Sequence, residues 1–313
     1  MARAHAPFST EPVSVTNSAR SGPFIAGDLV QLTDPKGRMH TITLVPGKSF
    51  HSHRGAIEHD ELIGLAQGSV ISNSGSTEYL ALRPLLDDFV LSMPRGAAVI
   101  YPKDSARIIG LAGLGPGMSV AEAGVGSGAL TCSLLRAVGD SGQVHSFERR
   151  ADFAEVATRN VATWFGGLPT CWRLTVGDLE DNLADTGLDA VVLDMLAPWD
   201  CLPMAAAALE PGGVLVGYVA TATQLSKLVE TMRLAGDWTE PRAEESLVRT
   251  WHLDGLSVRP DHRMSGHTGF LVAARRLAPG ALMPIRRRRP APGAYGADYT
   301  GPGSASDQDE TLP

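Results

Sequence analysis

Glu122-Ala-Gly-Val-Gly-Ser-Gly128 is the stretch on which the reading of this chain turns. Just ahead of it, Met118-Ser-Val-Ala-Glu122 reads as a short strand, and the residues from about Ala129 to Val138 read as a helix. Strand, glycine turn and helix in that order place a ligand at the carboxyl end of an open α/β sheet. The glycines let the backbone turn tightly and approach the ligand, and the first amides of the helix can receive an anionic group such as a carboxylate.

Working outward, the alternation continues. Gln143-Val-His-Ser-Phe-Glu148 precedes a helix from about Ala151 to Trp164. Cys171 to Val176, Ala190 to Asp194 and Gly213 to Tyr218 are further strands, the last followed by a helix through about Leu234. This predicts a doubly wound, mostly parallel α/β sheet over residues 87–278. Leu247 to Leu253 and Thr268 to Ala274 are expected to be two closing strands with a polar loop between them. Upstream, short alternating runs broken by turn residues, such as Leu29-Val-Gln-Leu32, Thr41-Ile-Thr-Leu44 and Tyr79-Leu-Ala-Leu82, predict a small all-β domain over 21–86. Residues 1–20 and 279–313 lack apolar periodicity and are expected to be mobile.

The bulk properties bound the function. With 313 residues and 43% hydrophobic content, the chain can bury a real core. It has no apolar run of roughly 18 residues and no secretory leader, so a cytoplasmic protein without a membrane partner is expected. Cys132, Cys171 and Cys201 are widely spaced, without metal-ligand spacing, and read as reduced core thiols. In Phe50-His-Ser-His-Arg-Gly55 the two histidines would share one strand face, but no nearby cysteine completes a metal set, so no metal is expected. The net charge of −7 argues against simple adhesion to nucleic acid. Basic residues nevertheless gather from Arg242 to Arg276 and in Arg286 to Arg289, leaving a local RNA-facing patch open.

The acids at the strand ends narrow the ligand. The loop is GxGxG, not the GxGxxG of dinucleotide folds, and Glu122, two residues ahead of its first glycine, suits the ammonium of a methionine moiety better than a pyrophosphate. S-adenosylmethionine is therefore the favoured cofactor. Glu148, about 20 residues past the loop, is placed to accept ribose hydroxyls, and Asp178, followed by Leu179, is placed to take an adenine amino group. Each acid could instead cap a helix or a turn. Asp194, at the end of the fourth strand, could hydrogen-bond the exocyclic amine of a base and accept a proton, or cap the short helix that follows. Trp199 could stack on a base, although a tryptophan beside proline more often serves packing.

Three segments carry a resemblance: Glu122 to Thr131, Tyr101-Pro-Lys-Asp104, and Leu193-Asp-Met-Leu-Ala-Pro-Trp199. Together they resemble the tRNA adenine N1-methyltransferases that modify position 58 of the T loop, particularly the bacterial, actinobacterial-looking type. The likeness runs from about Pro23 to Pro279 and includes Phe24-Ile-Ala-Gly-Asp28 and Gly47 to Gly55. It implies a class I S-adenosylmethionine-dependent methyltransferase with a small N-terminal β domain, a tRNA substrate and a homotetramer. It also implies that Gly124, Gly126, Ser127, Gly128, Ala129, Leu130, Glu148, Asp178 and Asp194 contact the cofactor, that Asp194 acts on the target adenine, and that Tyr101 and Tyr218 flank the base. The glycine loop alone is also compatible with a methyltransferase for a protein (isoaspartyl-type) or small-molecule acceptor. A noncatalytic RNA-binding subunit on the same fold is disfavoured because the acids are all present.

Overall fold

The computed structural model describes residues 13–15, 21–264 and 266–284. The expectations placed on the remainder of 1–20, on the tail beyond 284 and on the Arg286–Arg289 run lie outside the described residues. Within the expected mobile leader, Val13–Val15 are held in place. The Val13 amide donates to the Leu168 carbonyl, the Val15 amide and Ser14 hydroxyl donate to the Asp140 carboxylate, and Val15 is buried.

The N-terminal unit consists of β1 (Leu29–Thr33), β2 (Met39–Thr43), β3 (Ser49–Ser52), β4 (Gly55–Glu58), the one-turn α1 (His59–Leu62), β5 (Ser69–Ser72) and β6 (Glu78–Leu82). Four strands form an antiparallel sheet in the order β2-β1-β6-β5, while β3 and β4 make a separate hairpin. Phe24, Val30, Leu32, Leu44, Ile57, Leu62, Tyr79 and Ala81 close its core. The expected shared strand face for His51 and His53 is not formed: β3 ends at Ser52 and His53 lies in the turn beside Arg54. His59 accepts the Val45 amide at 3.0 Å, which gives that buried ring a structural job.

The catalytic half begins with α2 (Leu86–Ser92) and α3 (Pro102–Ala112), whose Leu86, Phe89, Val90 and Ile108 enter the core on one face of the large sheet. Its parallel strands alternate with helices: β7 (Ser119–Ala123), α4 (Ala129–Val138), β8 (Gln143–Glu148), α5 (Ala151–Phe165), β9 (Trp172–Val176), α6 (Leu179–Asn182), β10 (Leu188–Asp194), a 3-10 turn (Pro198–Cys201), α7 (Leu202–Ala208), β11 (Leu209–Val219) and α8 (Ala222–Ala235). Then follow β12 (Arg242–Glu244), β13 (Trp251–Asp254), β14 (Ser257–Pro260) and β15 (Phe270–Arg275). Ala190-Val-Val-Leu193 is apolar without alternation because β10 is covered on both faces. Ala190 and Val192 meet the helices of one layer, and Val191 and Leu193 those of the other.

The seven-stranded order is β12-β15-β11-β10-β7-β8-β9, parallel from β11 through β9, with β15 antiparallel to both of its neighbours. The chain leaves β7 toward β8 on one side and returns to β10 on the other. This reversal opens a crevice at the carboxyl ends of β7 and β10, directly beside the glycine loop. One expectation is corrected here. Leu247–Leu253 does not join the sheet; the closing partner of β15 is Arg242–Glu244, and Trp251–Asp254 pairs with Ser257–Pro260 in an outlying hairpin. A three-residue polar edge strand held by main-chain bonds leaves no periodic signal, whereas the apolar hairpin imitates one. Cys132, Cys171 and Cys201 are buried free thiols, and no helix among the described residues is long and apolar enough to cross a membrane.

Candidate active site

Three glycines shape the loop, each with positive φ: +85° at Gly124, +56° at Gly126 and +79° at Gly128. A Cβ on Gly124 would lie 1.8 Å from the Asp194 carbonyl oxygen, and one on Gly128 would lie 3.2 Å from the Ala157 backbone of α5. The loop is therefore wedged between the end of β10 and α5, and the amides of Gly124, Gly126 and Gly128 donate to the Phe147 carbonyl, the Glu148 carboxylate and the Val125 carbonyl. The Ser127 hydroxyl accepts the Gly96 amide at 3.1 Å, and its carbonyl accepts Asn160 Nδ2 at 2.8 Å, so its side chain pins the segment before α3. The side chains of Ala129 and Leu130 are buried in the core, leaving their backbone, at the start of α4, as the part that faces a ligand. Leu179 is likewise buried, beneath Asp178.

The acids do not stand at one level. Glu122 pairs with Ser146 in the β7–β8 ladder, two residues short of Glu148, and Val192 pairs with Glu122, two residues short of Asp194. Glu148 and Asp194 thus flank the height of Gly124, while Glu122 lies lower, inside the sheet. Glu122 Oε2 accepts the hydroxyls of Thr131 and Ser146, each at 2.8 Å, tying β7 to α4 and β8. Its Oε1 is buried with no hydrogen-bond partner among the described residues. Burial chiefly, with the charges of Asp194 and Glu148 adding to it and the two hydroxyls opposing, pushes the Glu122 carboxyl up to about 7. Glu148 accepts the Gly126 amide at 2.9 Å and the Arg150 amide at 3.0 Å, which fixes the carboxylate against the loop.

Asp194 caps nothing: the 3-10 turn after it starts from Ala197, and no described group hydrogen-bonds its carboxylate. Burial, then the neighbouring charge of Glu148, pushes it up to about 7 as well. Asp178 precedes α6 without a side-chain cap bond and pairs with Arg149, so it too is no simple cap. Glu122 and Asp194 are therefore two neighbouring carboxyls with raised affinity for a proton, one of them with a buried oxygen that no described group satisfies.

Tyr218 lies near both Asp194 and Tyr101. Tyr101, about a third exposed, is the residue from which α3 starts, with Pro102 supplying the first helical position. Tyr218 pairs with Asp194 across β10 and β11, and its ring lies against Gly269, where a Cβ would come within 2.4 Å of Cζ. Burial and the nearby Asp104 push its phenol up to about 12, and Asp194 and Tyr101 add to this while Thr268 opposes, so the hydroxyl stays protonated. Gln224 closes the capping box of α8 and donates to the Leu196 carbonyl at 2.9 Å, holding the loop after Asp194. Trp199 packs on the second core and carries Lys227 over its ring at 4.1 Å, a packing role. Sequence reasoning quoted Thr131 and passed over Ser146 and Thr268, because their partners are brought together only by the fold.

A family profile described as "tRNA methyltransferase complex GCD14 subunit" matches residues 79–259, and one described as "TrmI-like N-terminal" matches residues 22–71. The tRNA (adenine(58)-N(1))-methyltransferase TrmI of Thermus thermophilus is 38% identical over 246 residues, 78% of this chain and 95% of that protein. The chain belongs to the tRNA (adenine-58-N1)-methyltransferase family. A Methanocaldococcus jannaschii member, named for adenines 57 and 58, is 32% identical over 65% of this chain and 80% of its own. Among solved structures, tRNA (m1A58) methyltransferase TrmI from Aquifex aeolicus superposes with a TM-score of 0.72 at 27% identity, covering 82% of this chain and all of that one. A Thermotoga maritima SAM-dependent O-methyltransferase superposes with 0.77 at 29% identity, covering 85% of this chain and 96% of that one. The fold and both profiles fit the class I methyltransferase architecture.

Proposed function

We propose that this protein transfers the methyl group of S-adenosylmethionine to N1 of adenine 58 in the T loop of tRNA. The observation that carries this reading is the pair of buried, raised carboxyls of Glu122 and Asp194 beside the glycine loop, with Tyr218 next to Asp194 in the sheet. Bound S-adenosylmethionine would bring a sulfonium and an ammonium to a place where Glu122 Oε1 is buried unpaired and where Glu122 and Asp194 are both pushed up to about 7. In this reading the Ser127 amide and the first amides of α4 receive the carboxylate. Glu148 holds the ribose, Asp178 and Leu179 the adenine ring, and Glu122 braces the loop while facing the positive charge.

Adenine N1 is itself the nucleophile, so the protein's own work is placement and proton handling. The target nucleotide leaves its stack and enters the crevice between Tyr101 and Tyr218. Asp194, to which no described group donates, accepts a hydrogen bond from the exocyclic amine and takes its proton as N1 acquires positive charge. The Tyr218 hydroxyl stays protonated beside Thr268, so the ring presents no charge at the same edge. The reaction needs no covalent enzyme intermediate.

The proposal extends to assembly as a homotetramer in the cytoplasm. The β13–β14 hairpin supports self-association: Leu253 is 73% exposed and Leu256 fully so, beside exposed Trp251 and Val258. A two-stranded hairpin is marginal alone, and an apolar one gains its stability by packing on another surface.

The deciding experiment incubates the protein with S-adenosylmethionine and unmodified tRNA transcript, then digests the RNA for nucleoside mass spectrometry. N1-methyladenosine is expected, and it should vanish when position 58 is changed to guanosine. Its absence, or its persistence in that transcript, would refute the assignment. Asp194→Ala should lose most of the activity while keeping the fold.

A further inference from the structure

Tyr-Pro-Lys-Asp is a motif whose tyrosine the function uses and whose lysine and aspartate it does not. Both charged side chains turn inward. Asp104 is fully buried, and Lys103 keeps only 14% of its side chain exposed. Lys103 Nζ donates to Asp104 Oδ1 at 2.7 Å, to the Ser246 carbonyl at 2.7 Å and to Thr268 Oγ1 at 2.6 Å. Thr268 Oγ1 in turn donates to Asp104 Oδ2 at 2.7 Å. The result is a closed three-residue cycle, with both carboxylate oxygens engaged and all three ammonium hydrogens spent, joining α3 to a segment more than 160 residues away.

Each arm of this cycle ends at one of the tyrosines. Asp104 and Ser105 donate their amides to the Tyr101 carbonyl, so the position of Asp104 sets the start of α3 and with it Tyr101. Thr268 precedes Gly269, whose backbone is the surface against which the Tyr218 ring lies. A shift of Thr268 moves that surface.

We infer that Lys103, Asp104 and Thr268 form a buried brace that sets the separation of Tyr101 and Tyr218, making them positioning residues for the flipped base. The inference rests on the reading of those tyrosines as the walls of the base pocket. A charged brace suits this task better than apolar packing because its bonds have fixed lengths and directions, so the two walls have one register. The Ser246 contact adds the root of the segment leading to the β13–β14 hairpin to the same anchor.

Removing either charge alone would strand its partner in the interior, so Lys103→Met and Asp104→Asn report on stability and not on position. Thr268→Val is the informative change, since it keeps the shape and leaves Lys103 its bonds to Asp104 and Ser246. Its kcat on tRNA should fall about ten- to a hundredfold, with the calorimetric Kd for S-adenosylmethionine close to wild type and the melting temperature lower by about a few degrees, because Asp104 Oδ2 and one Lys103 hydrogen lose their partner. Thr268→Ser should restore the rate. If the threonine acts through Tyr218, then adding Thr268→Val to Tyr218→Phe should slow that enzyme no further. Wild-type kcat in Thr268→Val, no rescue by serine, or full additivity with an impaired Tyr218→Phe would each overturn the brace alone. A fully active Tyr218→Phe would overturn the placement of Tyr218 and the brace with it.

Discussion

Replacing Glu122 by glutamine tests the charge deficit of the crevice. An isolated glutamate titrates at 4.5, and this one is pushed up to about 7 by burial, with Asp194 and Glu148 adding to the effect. A carboxyl whose folded value is raised binds more protons in the native than in the unfolded state between those two values. Native stability therefore falls as pH rises through that window and levels off above about 7. The step from 4.5 to about 7 corresponds to about 3 kcal/mol. Glutamine can still accept the Thr131 and Ser146 hydroxyls through its amide oxygen, and it places an amide nitrogen where Oε1 now lies unpartnered. The unpaired donor costs about 1–3 kcal/mol at every pH, so a single-pH comparison decides nothing and the slope decides everything. Urea unfolding of the cofactor-free protein between about pH 5 and about pH 8 should show Glu122→Gln losing about 3 kcal/mol less than wild type. Asp194 titrates in both proteins, and because the two carboxyls raise one another its contribution cancels only in part, leaving Glu122 the main source of the difference. Parallel stability curves for the two proteins would refute the claim that Glu122 is held neutral by its surroundings.

Gly124→Ala should lower kcat/KM by about a hundredfold or more, because its Cβ would meet the Asp194 carbonyl oxygen at 1.8 Å in a backbone of φ +85°; a near-wild-type rate would show that the loop yields freely. The kcat/KM for S-adenosylmethionine, which reports the free enzyme, should rise with pH through about 7 as Asp194 and Glu122 ionise, and should then level off. A profile flat across neutrality would count against both assignments. Binding should also release protons, since a cation beside raised carboxyls lowers them; calorimetry in buffers of different ionisation enthalpy reads the number directly. Leu253→Lys combined with Leu256→Lys should shift the assembly toward smaller species in light scattering, and an unchanged mass would show that the hairpin packs elsewhere.

The parts of the site that were legible in the sequence are those whose chemistry is local. The strand, glycine turn and helix around Glu122 to Val138 lie within one βα unit, Asp194 ends an apolar run and Glu148 the strand that follows the loop's helix, so position and residue type mark them. What was not legible depends on register or on distant segments. The pairing of Glu122 with Ser146 drops it below its fellow acids, a ladder offset that no spacing along the chain encodes. The exchange of Leu247–Leu253 for Arg242–Glu244 at the sheet edge has a similar cause. Main-chain bonding to β15 fixes the edge, and the apolar residues of the hairpin mark an outward surface, not the core.

Tyr-Pro-Lys-Asp shows how a motif can be specific before its reason is visible. Read along the chain, Lys103 and Asp104 resemble solvated charges in the first turn of a helix, with only the proline and the acid favouring the helix start. In the fold they are interior, and their partner Thr268 sits on the return into the last strand, beside the glycine that receives the Tyr218 ring. A buried ion pair gives little net stability relative to an apolar pair of the same shape. Its presence under two aromatic walls is better accounted for by the geometry it imposes, and that geometry is needed only where a base must be held in one orientation toward Asp194. The glycine loop and its acids identify a methyl-donor site that many acceptors could share, whereas the brace belongs to the acceptor side. That division explains why the tyrosine-bearing motif, more than the loop, makes the resemblance specific to enzymes acting on adenine.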